Sequence, residues 1–245
     1  MGSPTWSGKV FTTKGARDEN EDAAAVLPRG IIVCDGMGGH EAGAEASGVL
    51  VRKFREGAPI EDFAREAASW VGAIPHDGSK PPGTTCSVAC YHEGKLVGIH
   101  VGDSALFLLP QDPSRPMKRL TPSDSLGETI LKNSPDAVGG AYRWRHVLNR
   151  CVIGGSATDW HVCRELAHTP GDWIVGVTDG VTGAYDLPGR PELDTAWLEQ
   201  DLRAVLAGTL DGQDMVEAAG AADRGKDNAT LAFWRTSRPR TPRKK

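Results

Sequence analysis

The chain has 245 residues, 39% of them hydrophobic and 24% charged, with a formal net charge of −4, enough for one substantial core. The last eleven residues, Arg235–Lys245, hold six basic side chains and no acid, so the rest of the chain stands near −10. That acidic body argues against nucleic-acid binding, which needs a basic face; the first ten residues have no apolar signal region, and no run approaches the roughly 18 apolar residues of a membrane span.

Residues 8–35 read as strand, loop, strand, turn and strand, with Arg29-Gly30 as the tight connection. From Glu41 to Arg55 the apolar positions Ala42, Ala46, Val49, Leu50 and Phe54 recur at helical spacing, and a second helix carries Phe63, Ala67, Trp70, Val71 and Ile74 on one face. Pro75–Pro82 is a loop by composition. Three strands follow, Thr85–Tyr91, Lys95–Val101 and Ala105–Leu109, with reversals at Glu93-Gly94 and Asp103-Ser104. Residues 122–150 are less regular, with Gly139-Gly140 after a short helix, and carry the basic side chains Lys132, Arg143, Arg145, His146 and Arg150. Then come a strand at Trp173–Thr178, helices at Ala196–Leu206 and Gln213–Ala222, and a last strand at 229–234. The order predicts an α+β fold, a central antiparallel sheet system with helices outside. Residues 1–235 form the expected domain, and 236–245 a basic, disordered tail.

The five cysteines (Cys34, Cys86, Cys90, Cys151, Cys163) form no CxxC pair, and three lie in apolar runs. Buried free thiols and a reducing cytoplasm are expected.

Three of the apolar runs deliver an aspartate beside a glycine: Ile31–Gly36 with Asp35-Gly36, Leu96–Asp103 with Gly102-Asp103, and Trp173–Gly180 with Asp179-Gly180. In a fourth, Asp227-Asn228 precedes the strand. Each strand would carry one carboxylate to the rim of a sheet, and carboxylates from distant segments at strand ends are what a hard divalent cation requires. After Asp35, the run Gly36-Met37-Gly38-Gly39-His40 with Gly43 is rich enough in small residues for backbone to approach an ion closely. A nucleotide loop is a poor alternative, because no Gly-Lys-Ser follows. Upstream, Gly15–Ala23 sets Arg17 beside Asp18, Glu19, Glu21 and Asp22. Taken alone this is a solvated charged loop; beside a metal, Arg17 would offer a planar fork for phosphate oxygens.

Together these segments resemble the metal-dependent protein serine/threonine phosphatases of the PP2C or PPM family, and the small bacterial members most. The match runs from Gly15 to Phe233 in the family's order: Gly15, Arg17, Asn20, Glu21, Asp22 and Ala23; then Asp35–His40 with Ala46-Ser47; Gly83-Thr84-Thr85 with Val101–Ser104; Thr178-Asp179-Gly180; and Asp227-Asn228 with Thr230. The resemblance implies a β-sandwich of two antiparallel sheets flanked by pairs of helices. It implies a site for two Mn²⁺ or Mg²⁺ ions, with a third, weaker one. Asp35 would bridge the two ions with the Gly36 carbonyl beside it, and Asp179 and Asp227 would hold the metal on the other side. Asp22 would act through metal-bound water, with Glu21 nearby. Asp103 with Asp179 would hold the third ion, and Arg17 the substrate phosphate. The implied reaction is hydrolysis of phosphoserine or phosphothreonine in proteins, by in-line attack of a hydroxide bridging the two ions.

Met37 stands where some family members have a histidine, as in bacterial relatives, and that role does not transfer to His40. Ala105 stands where arginine is common, and residues 122–150 correspond to the family's variable flap. The remaining histidines (His76, His92, His100, His146, His161, His168) show no metal-ligand spacing. Expected partners are phosphorylated proteins, substrates of a serine/threonine kinase, with no nucleic acid and no membrane; a monomer is the default. The alternatives are a non-catalytic phosphoprotein-binding module on the same fold, which would have lost metal carboxylates, and a binuclear phosphoesterase of another kind, which would use histidine ligands.

Overall fold

The computed structural model describes residues 7–37, 41–76, 81–185, 195–221 and 227–237. Gly38, Gly39, His40, the middle of the 75–82 loop and the tail beyond Ser237 lie outside the described residues. The elements in order are β1 (Gly8–Thr13), β2 (Asp22–Leu27), β3 (Gly30–Met37), α1 (Glu41–Glu56), α2 (Ile60–Gly72), β4 (Gly83–Thr84), β5 (Cys86–His92), β6 (Lys95–Val101), β7 (Ala105–Leu109), β8 (Lys118–Arg119), α3 (Leu126–Asn133), α4 (Val138–Arg143), β9 (Val152–Ile153), β10 (His161–Cys163), β11 (Trp173–Val177), α5 (Asp179–Thr182), α6 (Thr195–Ala207), α7 (Gly212–Ala221) and β12 (Ala229–Arg235).

The strands form two antiparallel sheets. One has the order β1-β12-β11-β7-β8; the other runs β10-β6-β5-β3-β4-β9, with β2 on the free side of β3. Period-two alternation divides each central strand between two cores. Ile31 and Val33 of β3 meet Leu106, Leu108, Ile174, Ala232 and Trp234 between the sheets. Their neighbours Ile32 and Cys34 point the other way, into the layer built by Phe54 and Phe63 of α1 and α2. On the far side, Phe107, Val175, Val177, Leu231 and Phe233 pack against Leu198 and Leu202 of α6 and Val216 of α7. The result is a helix–sheet–sheet–helix sandwich. Because both faces of the central strands are covered, they read as unbroken apolar runs rather than alternating ones.

Two expectations change. Gly139-Gly140 follows a short helix, α3, but not as a loop: the pair lies inside a further helix, α4, which packs against α3, and a side chain at either glycine would meet nothing within 4 Å among the described residues. Packing also continues past residue 235, since Thr236 is buried and its Oγ1 donates to the Asp172 carbonyl at 2.7 Å. All five cysteines are free, with Cys34, Cys86 and Cys90 buried. Among the described residues no helix is long and apolar enough to cross a membrane.

Candidate metal centre

The carboxylates singled out in the sequence come from both sheets and meet at one end of the sandwich. Asp22 opens β2 directly opposite Asp35 of β3 in the strand register. Asp103 follows β6, Asp179 follows β11 and Asp227 precedes β12. Single carboxylate oxygens of Asp35, Asp103 and Asp179 lie within 4.8 Å of one another. Arg17 Nη2 stands 3.0 Å from Asp227 Oδ2 and is about half exposed. It thus reaches the rim of the cluster from the solvent side.

Polar side chains around the cluster fix its backbone. The Asp35 N–H donates to Thr85 Oγ1 at 2.9 Å, and Thr84 Oγ1 donates to the Asp35 carbonyl at 2.9 Å. Thr85 Oγ1 in turn bonds Ser104 Oγ at 2.7 Å, tying the Asp35 segment to the Asp103 loop. These contacts explain why threonines stand at 84 and 85. Asn228 accepts from the Glu21 N–H at 2.8 Å and donates to the carbonyls of Lys14 and Glu19 at 3.0 and 2.7 Å. One amide therefore anchors the whole 14–21 loop to the start of β12. Gly36 lies so close to α1 that a Cβ there would sit 2.1 Å from the Gly43 carbonyl oxygen. The Glu21 carboxyl packs against Gly43, on the α1 side.

Asp22 accepts from Thr178 Oγ1 at 2.8 Å, and the same hydroxyl accepts from the Thr230 N–H at 2.9 Å. Thr178, Thr230, Asp124 and His146 carry contacts that spacing in the sequence did not point to. His146, from the irregular segment, places Nδ1 3.7 Å from Asp179 Oδ2. Beside it lies a pocket of about 70 Å³ whose lining includes Asp103, Arg119, Arg145, His146 and Asp179.

The electrostatics of this end are unbalanced. Burial pushes Asp22 up to about 8, with Asp179 and Asp227 adding to the rise and Thr230 and Thr178 opposing it. Burial, then the charges of Asp22, Asp179 and Asp103, hold Asp35 well above the carboxylate range. Asp103 is raised by burial and Asp179, and Asp227 likewise, with Arg17 opposing. For Asp179 burial also acts upward, but the neighbouring His146 and Asp35 side chains and the charge of Arg17 outweigh it and hold it below its ordinary value. Among the described residues, the buried carboxyl oxygens Asp22 Oδ1 and Asp179 Oδ1 have no hydrogen-bond partner. A buried carboxyl oxygen without a partner is costly, the more so once the group is ionised, and a bound cation would relieve that cost. An all-oxygen donor set of this kind suits hard divalent ions such as Mg²⁺ and Mn²⁺.

No protein-family model and no curated protein sequence matches this chain. Solved structures do. MsPP, a PPM Ser-Thr phosphatase from Mycobacterium smegmatis in complex with cacodylate, aligns at TM-score 0.72 and 22% identity over 94% of this chain and 98% of its own. The fold is that of the PPM phosphatases. The serine/threonine phosphatase Stp1 from Staphylococcus aureus shares this PPM-type fold with the chain at TM-score 0.66 and 23% identity, over 96% of each. The catalytic domain of the serine/threonine protein phosphatase PstP, solved with two manganese ions, does so at TM-score 0.64 and 20% identity over 94% of this chain and 97% of its own. In this PPM-type fold the acidic cluster occupies the end of the sandwich where strands of the two sheets deliver their aspartates.

Proposed function

We propose that the chain is a metal-dependent protein serine/threonine phosphatase acting on phosphoserine and phosphothreonine in proteins. The observation that carries the reading is the cluster of Asp35, Asp103 and Asp179, with Asp22 opposite Asp35 and Asp227 beside Arg17 at the same end of a PPM-type sandwich, and with buried oxygens of Asp22 and Asp179 that have no partner among the described residues. Asp35, the Gly36 carbonyl, Asp179 and Asp227 would hold two divalent ions, Mn²⁺ or Mg²⁺. Asp22 would act through ordered water, and Asp103 with Asp179 would hold a third ion. When bound, such ions supply Lewis-acid activation of a water and neutralise charge on the phosphoryl oxygens.

The chain's own residues do the rest. Arg17 is exposed at the rim, and its planar fork meets phosphate oxygens entering from solvent. Asp227 keeps the guanidinium aimed at the cluster while the phosphate is absent. Thr178 and Thr230 fix the Asp22 carboxylate, and Thr84 and Thr85 fix the backbone at Asp35. No cysteine serves as nucleophile: Cys34 is buried in β3, and burial raises its thiol well above its ordinary value. The basic side chains of residues 122–150 would steer an acidic phosphorylated segment toward the cluster, and phosphoproteins made by a serine/threonine kinase are the partners this implies.

The test is hydrolysis of para-nitrophenyl phosphate and of a phosphothreonine peptide, with Mn²⁺, with Mg²⁺ and with EDTA, for wild type, Asp35→Ala and Asp179→Asn. The expected result is metal-dependent turnover that favours the peptide and vanishes in both variants. A folded, Mn²⁺-binding wild type without turnover would point instead to a phosphoprotein-binding role.

A further inference from the structure

Gly102 immediately precedes Asp103 and has φ +109°, a conformation that side chains other than hydrogen rarely adopt. Its two peptide groups are held by three hydrogen bonds from two buried side chains and one backbone amide. The Gly102 N–H donates to Asp124 Oδ2 at 3.0 Å, and the Gly102 carbonyl accepts from the Asp124 N–H at 2.9 Å. The same carbonyl lies 3.0 Å from His100 Nε2, so that nitrogen carries the proton. His100 Nδ1 is then an acceptor for Ser87 Oγ at 2.8 Å, and burial keeps the ring neutral by lowering it to about 4.

Asp124 is itself held from outside. Its second oxygen, Oδ1, lies 2.8 Å from His161 Nε2, which donates to it in the Nε2–H tautomer, and Arg150 Nη1 lies 3.2 Å from the same nitrogen. Arg150 Nη1 stands 3.8 Å from the same oxygen, while its Nη2 reaches Asp159 at 3.4 Å. The His161 ring stacks on His100 at a centroid distance of 5.8 Å, as neighbours across β10 and β6. A chain of contacts therefore runs from the half-exposed Arg150 and His161 through the buried Asp124 to the peptide that orients Asp103. None of these side chains belongs to the cluster of carboxylates.

We infer that Asp124, oriented by His161 and Arg150, is a positioning residue that fixes the Gly102-Asp103 peptide and so sets the affinity of the ion held by the Asp103 carboxylate. The inference rests on the metal reading above and adds to it the residues that control one of its ligands. Partners that orient a metal ligand from behind typically change metal affinity by ~10–100-fold when removed. His161→Phe keeps the ring stacked on His100 but removes the donor to Asp124; His161→Gln restores a donor.

The experiment is a calorimetric Mn²⁺ titration of the full chain as wild type, Asp103→Asn, His161→Phe and His161→Gln, with amide exchange at Gly102 followed by NMR in EDTA. The component lost in Asp103→Asn defines the Asp103 ion. His161→Phe should weaken that component by ~10-fold or more and speed Gly102 exchange, while the other binding stays as in wild type and His161→Gln recovers most of the loss. A His161→Phe protein that melts as wild type in EDTA, binds Mn²⁺ as wild type and exchanges Gly102 at the wild-type rate overturns the inference alone. A wild type that binds no Mn²⁺ overturns the metal reading and this inference together.

Discussion

Raising the pH from 6.5 to 8 should destabilise the metal-free protein and strengthen its hold on Mn²⁺. Asp22 is held at about 8 against an ordinary 3.8, and burial also raises Asp35, Asp103 and Asp227. A carboxyl whose folded pKa is raised binds more protons in the native than in the unfolded state. Its contribution to stability is complete below the unfolded value and is lost as pH climbs through the folded one. His100 runs oppositely: burial lowers it to about 4, so the native state gains stability as pH rises toward the ordinary imidazole value near 6.5. Above pH 6.5 that contribution changes by less than about 0.5 kcal/mol before it levels off, and Asp179, held below its ordinary value, is ionised in both states. The window from 6.5 to 8 therefore reports mainly on the raised carboxyls. Each one still protonated in the native state costs about 1.4 kcal/mol per pH unit, so Asp22 alone accounts for roughly 2 kcal/mol across the window. Because the same carboxyls must lose their protons to bind a cation, saturating Mn²⁺ should stabilise the protein more at pH 8 than at 6.5. Urea unfolding at four pH values, in EDTA and in Mn²⁺, measures both slopes. An EDTA curve that is flat or rises above pH 6.5, or an Mn²⁺ stabilisation that ignores pH, would refute the reasoning.

Thr178→Val removes the donor to Asp22 Oδ2 and the acceptor for the Thr230 N–H in a fully buried place, which should cost about 2–4 kcal/mol in urea unfolding and weaken Mn²⁺ binding measured by calorimetry. Asn228→Ala breaks three hydrogen bonds that tether the 14–21 loop, so a loss of about 2–4 kcal/mol with a marked fall in kcat is expected from melting and peptide hydrolysis. Arg17→Ala acts differently: the ion pair with Asp227 is exposed enough that stability should change by less than about 1 kcal/mol. Steady-state kinetics should then show a raised KM for the phosphopeptide. Gly102→Ala meets both a left-handed backbone and a Thr85 Cβ 2.6 Å from the added methyl, and should lower the melting temperature through a loss of roughly 2 kcal/mol or more.

The central strands were legible because both of their faces are buried, which leaves uninterrupted runs such as Trp173–Val177 bounded by polar residues. The aspartates were legible for a related reason: each stands where such a run stops. What spacing did not show were elements with too few residues to make a pattern. β8 and β9 have two residues each, and β10 is a three-residue edge strand with Val162 exposed, so neither periodicity nor burial marks them. The Gly139-Gly140 pair read as lying beyond a helix because glycine disfavours helix interiors, whereas packing of α4 against α3 overrides that preference. His146 read only as a basic side chain and Asp124 was not singled out, because their importance depends on partners distant in the chain, Asp179 for one and Gly102 with His161 for the other. Thr178 was visible as part of the Thr178-Asp179-Gly180 motif, but its bridge between Asp22 and Thr230 exists only once both sheets have assembled.

The most direct measurement is anomalous diffraction at the manganese edge from crystals of the full chain grown with Mn²⁺. Strong peaks should lie within coordination distance of Asp35 and Asp179, with at least one more bounded by Asp227 or Asp103. Crystals of protein that binds Mn²⁺ in solution, yet show no anomalous peak near any of these carboxylates, would contradict the account.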